Sequence, residues 1–294
     1  MKAHIILFSP TGNTRKAAEY ITRALEDSGI ACTATDITGS RTLFGSPDGF
    51  SHIARMVPPH DILLVGGPVY AHHLQYHLAG LITGLPRPDG ERWGRLALPF
   101  VTYGGISTGI ALAEAGRLLR KRGRTVIGGA RFSMSHRMTR AFLDTEYNAH
   151  TNDTAVRKTA AALAESVRDA LHSPKVTDRT HLLSFQPLSV RLKAHLLFRE
   201  RLWHRKRYPK VTIDRERCSG CGICIRACPV LHLEENISGV HRSLQNECIH
   251  CFGCVAACPQ RAVGLAGDLD RGRSFMAAMI EKHGGREQPA SCTL

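Results

Sequence analysis

No run of apolar residues in this chain approaches the ~18 that a bilayer-crossing helix needs, so a membrane-spanning architecture is not expected. Met1-Lys2-Ala3-His4 leads straight into Ile5-Ile6-Leu7-Phe8 with no small-residue cleavage site behind it. That stretch reads as a first strand rather than a secretory leader, and the expected compartment is the cytoplasm. Cysteine is scarce outside one block: eight of the ten lie between Cys218 and Cys258, and only Cys32 and Cys292 stand apart. A disulfide scaffold is smaller and exported, so clustered thiols in a reducing compartment point to metal ligation. Acidic residues are under-represented, 25 against 39 Lys and Arg, for a net charge of +14. Neither a G-x-G-x-x-G nor a G-x-x-x-x-G-K loop occurs, and no Ser–His–Asp, zincin or kinase pattern is found, which sets aside dinucleotide binding, P-loop chemistry and those hydrolase and kinase classes. What remains is a globular composition, 43% hydrophobic with 27 Gly, over 294 residues, enough for about two domains.

Residues 1–171 alternate strand and helix patterns. Ala3 to Phe8, Ile30 to Ile37, Asp61 to Val65 (ending in Gly66-Gly67-Pro68), Leu96 to Val101 and a strand starting at Thr125-Val126-Ile127 are separated by helical spacings over 14–27, 111–122 and 154–171. Strands buried on both faces and joined by helices predict a doubly wound parallel sheet. Residues 172–210 break the pattern. Pro174 and Pro187 mark a connector, and a helix-like run from Leu188 to Tyr208 places Leu188, Leu192, Leu196 and Trp203 near one face among basic residues. This stretch holds +8 of the net charge. Its apolar stripe is expected to dock between domains and its charges to meet an acidic partner; an anionic membrane surface is possible but not favoured, and nucleic acid is not expected. Residues 266–294 read as one short helical pattern, Phe275 to Ile280, followed by a polar tail.

The sharpest signal is Cys218-x-x-Cys221-x-x-Cys224-x-x-x-Cys228-Pro229, repeated thirty residues on as Cys248-x-x-Cys251-x-x-Cys254-x-x-x-Cys258-Pro259. A cubane has four iron corners, each wanting a thiolate; three closely spaced cysteines reach three of them, and in the bacterial two-cluster pattern the fourth ligand comes from the other run. That assigns Cys218, Cys221, Cys224 and Cys258 to one cluster and Cys248, Cys251, Cys254 and Cys228 to the second. Zinc ribbons use paired Cys-x-x-Cys runs without this crossed spacing. Backbone N–H groups of the glycine-rich loops are expected to point at the sulfurs. Residues 211–265 resemble the bacterial-type ferredoxin with two 4Fe–4S clusters, a small α+β domain, with every ligand position present.

Behind the first strand, Ser9-Pro10-Thr11-Gly12-Asn13-Thr14 offers hydroxyls, an amide and a Gly at a helix start. This suits a single phosphate held by backbone N–H groups, and equally an ordinary capped helix. Two further loops follow predicted strands at the edge where such sheets bind ligands: Gly66-Gly67-Pro68-Val69-Tyr70-Ala71 and Thr102-Tyr103-Gly104-Gly105. Tyr70 or Tyr103 is placed to stack on a flat ring. The combination resembles flavodoxin, an FMN-binding fold with strand order 2-1-3-4-5. By that resemblance Ser9, Thr11, Asn13 and Thr14, with Gly12, hold the FMN phosphate, and residues 68–70 and 102–105 flank the isoalloxazine. The domain departs from typical flavodoxins in being basic and in lacking acidic residues around Tyr103. His72, His73 and His77 read as surface helix residues, and Cys32 as a small buried hydrophobe.

The whole chain resembles the flavodoxin–ferredoxin fusion flavoproteins of anaerobic bacteria and archaea. The division expected is 1–171 flavodoxin-like, 172–210 basic connector, 211–265 ferredoxin with two 4Fe–4S clusters, and 266–294 C-terminal helix and tail. The resemblance implies an electron carrier exchanging with redox partner proteins, a ferredoxin-like donor or acceptor among them. Alternatives are a flavin-dependent reductase of a quinone or other small acceptor, and an iron–sulfur redox sensor.

Overall fold

The computed structural model describes residues 1–46, 48–143, 145–150, 153–198, 208–236, 239–242, 246–284 and 290–293. Five parallel strands, β1 (Lys2–Leu7), β2 (Ala31–Asp36), β3 (His60–Tyr70), β4 (Trp93–Tyr103) and β5 (Gly129–Ser133), lie in the order β2-β1-β3-β4-β5. This is the doubly wound, flavodoxin-like order. Helices α1 (Asn13–Asp27), α2 (Tyr76–Gly84), α3 (Ala111–Lys121) and α4 (Asp153–His172) cover both faces. Successive side chains of β1 divide between them: Ile5 and Leu7 pack with Ile21 and Leu25 of α1 and Leu163 of α4, while Ile6 and Phe8 pack with Leu78 of α2 and Leu119 of α3. Covering both faces is why β1 reads as an unbroken apolar run.

Two readings of the sheet are corrected. The Gly66-Gly67-Pro68 stretch does not end β3; the strand runs on to Tyr70. Those glycines serve packing, not turning, since a Cβ at Gly66 would run into the Phe100 ring and one at Gly67 into Leu78. Thr125–Val126 forms only a two-residue strand beside β4, and the fifth strand proper begins at Gly129. The histidines also differ from expectation. Left-handed backbone at Ala71 (φ 45) and His72 (φ 68) reverses the chain, so that His73–Leu74 pairs back on β3 ahead of the helix. His77 lies within α2 but packs edge-on against Phe44 at 4.9 Å.

The connector differs most. Helix α5 (Leu188–Leu197) forms, but its leucine stripe does not dock: Leu188, Leu192 and Leu196 are 68%, 51% and 73% exposed. The helix is held instead on its opposite side, where Ala194 is fully buried and its carbonyl meets His73 Nε2 at 3.0 Å. Trp203 and the basic residues Arg199, Arg201, Arg205, Lys206 and Arg207 lie outside the described residues.

The cysteine-rich segment pairs β6 (Lys210–Ile213) antiparallel with β7 (Val263–Ala266), and Leu233–Asn236 with Gly239–Arg242. The last 29 residues hold a longer helix than their pattern suggested, α6 (Leu269–His283), and the tail is no free tail: β8 (Ala290–Thr293) adds antiparallel to the open edge of β5, Ala290 opposite Phe132 and Thr293 opposite Gly129. The edge of β5 supplies the backbone hydrogen bonds that the polar side chains of this segment did not advertise. Among the described residues, no helix is long and apolar enough to cross a membrane.

His73 joins α5 to the sheet. Its Nδ1 meets Glu114 Oε1 at 2.7 Å and its Nε2 meets the Ala194 carbonyl. With an ionised Glu114 both partners accept, and the protonated ring, donating from both nitrogens, satisfies them together. Burial acts to lower its pKa, but the Glu114 hydrogen bond and charge, with the Ala194 and Phe198 carbonyls, outweigh this and raise it. A raised folded-state value means the clamp's contribution is complete below the unfolded value of ~6.5 and is lost as pH rises through the folded one. Hydrogen exchange of residues 188–198, corrected for intrinsic rates, is therefore expected to show protection that falls on going from acid to alkaline pH, and His73→Gln should abolish that dependence; equal protection across the range would refute the clamp.

Candidate functional site

The eight clustered cysteines surround two cavities. One is lined by Cys218, Cys221, Cys224 and Cys258; the other by Cys228, Cys248, Cys251 and Cys254. The fourth cysteine of each run thus stands with the first three of the other. Local backbone explains how a tight loop does this. Gly220 (φ 70) and Gly222 (φ 66) in the first run, and His250 (φ 54) and Phe252 (φ 56) at the equivalent positions of the second, are all left-handed. They bend the chain around the void before the short helices Ile223–Arg226 and Gly253–Ala257.

The N–H groups aimed at sulfur come chiefly from beyond each Cys-Pro pair. His232 N donates to Cys228 Sγ (3.1 Å), Ala262 N to Cys258 Sγ (3.2 Å), and His250 N to Cys248 Sγ (3.4 Å). Burial and neighbouring thiols push the Cys254 pKa up to about 12; at Cys248 burial is the main cause of a rise to about 11, and Cys251 moves the same way. Cys258 goes down: burial opposes this, but the N–H groups of Val263, Ala262, Gln260 and Arg261 prevail. Bare thiolates at Cys248, Cys251 and Cys254 are therefore disfavoured, and a bound thiophilic metal is what can replace their protons. An all-sulfur donor set, four to a cavity, fits a cubane. Among the described residues, no three His, Cys, Asp or Glu side chains are gathered to hold one single metal ion; the sulfurs stand around a void.

At the carboxyl edge of the sheet, the Ser9–Thr14 loop is braced by its own side chains. Ser9 Oγ accepts from Arg15 N (2.9 Å), Thr14 Oγ1 pairs with buried Thr102 Oγ1 (2.8 Å), and Asn13 Nδ2 donates to the Ser135 carbonyl (2.7 Å). Gly12 (φ 86), with nothing within 4 Å of where its Cβ would be, leaves the start of α1 open, so backbone N–H groups and the helix dipole form the cradle while Thr11 sits half-buried at its tip. A partly open cavity lies beside it. Of the residues proposed from sequence, Val69, Tyr103 and Gly104 line it. Tyr70 is buried in the core on the α2 side, Pro68 accepts from Gln75 N through its carbonyl, and Gly105 (φ 74) makes the turn beyond Gly104.

Sequence reasoning did not place Ala71, His136, Phe198 or Tyr208 at this cavity, nor the roof of Phe275, Met276 and Met279 from α6. The 275–280 pattern was visible; its destination, 170 residues from Tyr103 along the chain, was not. His136 occupies the space a Cβ of Gly104 would take, and burial drives its pKa down to about 4, so the ring is neutral. A lining without Lys, Arg, Asp or Glu side chains among the described residues, and an open anion cradle beside it, fit a flat ring bearing one phosphate.

The strand order and the two four-cysteine cavities define a doubly wound α/β protein carrying an iron–sulfur module. The family described as "4Fe-4S dicluster domain" matches residues 210–259. A ferredoxin of Pyrobaculum islandicum is 39% identical over 62 residues, 21% of this chain and 58% of that protein, so the chain spans less than two thirds of that relative. A ferredoxin of Methanothermococcus thermolithotrophicus is 36% identical over 55 residues, 18% of this chain and 92% of that protein. Through this segment the chain belongs to the 4Fe–4S ferredoxin family. Among solved structures it is similar to an archaeal flavodoxin (16% identity, TM-score 0.37, covering 57% of this chain and 99% of that one) and to an NADH:FMN oxidoreductase in its apo form (20% identity, TM-score 0.44, 61% and 95%).

The crossed lining makes a specific forecast. Cys258→Ala is expected to damage the cluster built on Cys218, Cys221 and Cys224 and to spare the one built on its own sequence neighbours. Iron content and electron paramagnetic resonance of the reduced protein check it; loss of the other cluster instead would refute the crossing.

Proposed function

We propose that this chain is an electron-transfer flavoprotein that holds one FMN and two 4Fe–4S clusters and passes single electrons between them and redox partner proteins. The observation that carries the reading is the pair of four-cysteine cavities, one of which, lined by Cys228, Cys248, Cys251 and Cys254, adjoins the loop at the carboxyl edge of the sheet. Residues 1–171 hold the flavin, 211–265 hold the clusters, 172–210 connect them, and 266–294 roof the flavin cavity and close the sheet. Ser9, Thr11, Gly12, Asn13 and Thr14 receive the phosphate; Val69, Tyr103 and Gly104 flank the ring. When bound, FMN exchanges one or two electrons and each cluster exchanges one, so together they couple single-electron carriers to a two-electron centre.

The protein's own part is to hold these groups close and to cover one side of the cavity with Phe275, Met276 and Met279. That roof disfavours a small acceptor stacking over the flavin, and so favours a carrier over a quinone reductase. An excess of positive charge, concentrated at 172–210, suits an acidic partner.

Anaerobic reconstitution is expected to give about eight Fe and eight sulfides per chain, with one FMN and little or no FAD. Thr11→Asp sets a carboxylate against the phosphate and should weaken FMN binding by roughly 10- to 100-fold, about 1.4–2.8 kcal/mol. Fluorescence titration of the apoprotein measures this; unchanged affinity, or stoichiometric FAD in the native protein, would contradict the assignment.

A further inference from the structure

The two cysteine cavities are placed very differently. Around the second, Cys228, Cys251 and Cys254 are buried, as are Val230, Ile249 and Phe252. Two hydrogen bonds join this side of the module to the sheet domain. Gly39 N donates to the Pro229 carbonyl (2.7 Å) and Asn246 Nδ2 to the Phe44 carbonyl (3.2 Å). Gly253 lies between the phosphate loop and this cavity: a Cβ there would stand 4.0 Å from the Pro10 carbonyl and 3.7 Å from Cys251 Sγ. The first cavity also has a buried cysteine, Cys224, but its rim reaches solvent. Cys221 is exposed, and so are Ser219 and Gln260 of its lining.

A ring pair joins the second cavity to the flavin cavity. Tyr208 lines the flavin cavity and stacks on His250 with ring centres 5.5 Å apart and planes at 22°. His250 stands between Cys248 and Cys251 in the chain, and its N–H is the donor to Cys248 Sγ. Tyr208 also meets Phe252, which lines the second cavity, edge-on at 6.5 Å.

Resting on the electron-transfer reading above, we propose an order for the relay: the cluster held by Cys228, Cys248, Cys251 and Cys254 is proximal and exchanges electrons with the flavin past the Tyr208–His250 pair, and the cluster held by Cys218, Cys221, Cys224 and Cys258 is distal and meets external carriers at the exposed Cys221 face. With clusters and flavin bound, an electron lost by a carrier would be gained at the site of Cys218, Cys221, Cys224 and Cys258, and would pass by way of the site of Cys228, Cys248, Cys251 and Cys254 to the flavin. Two such passages, with two protons from solvent, reduce one flavin by two electrons; the reverse path oxidises it. Tunnelling falls steeply with distance, so the buried cluster packed against the flavin loop has the shorter path inward and the exposed one the shorter path outward. Tyr208 is a positioning residue: its ring fills the space between the two cavities and holds His250 in place.

The order is tested on the anaerobic holoprotein with Cys221→Ser, which retains a four-ligand site but marks the distal cluster spectroscopically. Power saturation of the flavin radical's paramagnetic resonance reads which reduced cluster lies near it. Relaxation should follow the unmarked cluster; relaxation governed by the marked one overturns the order. Stopped-flow mixing with a reduced acidic plant-type [2Fe–2S] ferredoxin separates bimolecular carrier oxidation from first-order flavin bleaching. Tyr208→Leu should slow the bleaching phase several-fold and leave carrier oxidation and cluster spectra as they were, and Tyr208→Phe should restore it; a bleaching phase in Tyr208→Leu as fast as in the native protein overturns the role of Tyr208. Should the native protein hold all its cofactors yet exchange no electrons with the carrier, the electron-carrier reading fails, while the relaxation measurement, which uses no carrier, still decides the order.

Discussion

Each cysteine run sends its last sulfur across to the cavity of the other. Cys258 stands with Cys218, Cys221 and Cys224, and Cys228 with Cys248, Cys251 and Cys254. Neither cavity can close until both runs are in place, so the segment folds around both or neither. The rest of the module serves that requirement. The β6–β7 ribbon pairs Val211 with Leu265 and Ile213 with Val263, bringing the start and end of the segment together. The N–H groups of His232 and Ala262, four residues past Cys228 and Cys258, then turn back on those crossing sulfurs and supply the partial positive charge an anionic cluster needs.

The same interdependence extends to the flavin cavity. Its walls come from Val69 near the end of β3 and His72 after it, Tyr103 and Gly104 at the end of β4, and His136 beyond β5; its roof comes from α6, which lies beyond the cluster segment in the chain. The chain leaves the sheet after α4, builds the cluster module, returns over the cavity and ends as a strand on β5. A ring bound in this cavity therefore touches both halves of the molecule. Because burial holds the His136 pKa low and no carboxylate is among the described lining side chains, the cavity lacks the negative field of an acidic site.

The parts legible in the sequence were those governed by local rules. The apolar run of β1, the Ala17, Ala18, Ile21 and Leu25 spacing of α1, and the duplicated cysteine spacing each state their own structure. The parts that were not legible depend on distant partners. Gly66-Gly67 carries the local signal of a turn, yet Phe100 and Leu78 fill the space and keep the pair in a strand. Leu188, Leu192 and Leu196 have the spacing of a buried stripe, yet the clamp through His73 and Ala194 selects the opposite side of the helix. Ala290 to Thr293 has no strand signature of its own; what makes it one is the unpaired edge of β5. His136 and Met276 reach the flavin cavity only through tertiary packing, which no spacing encodes.

The two cysteine runs also show how one backbone demand is met in two ways. Both need left-handed residues two and four positions after their first cysteine. The first run meets it with Gly220 and Gly222, which adopt that conformation without strain, and it faces solvent. The second uses His250 and Phe252, at a cost of about 1–2 kcal/mol for each residue held there. Side chains are what that strain secures. His250 stacks on Tyr208, and Phe252 packs edge-on against Phe142 at 5.8 Å and against Tyr208. Glycine at those positions would relax the backbone and remove the rings that seat the module against the sheet domain. The repeat departs from its own symmetry on the side that faces the flavin cavity, where a bare backbone is not enough.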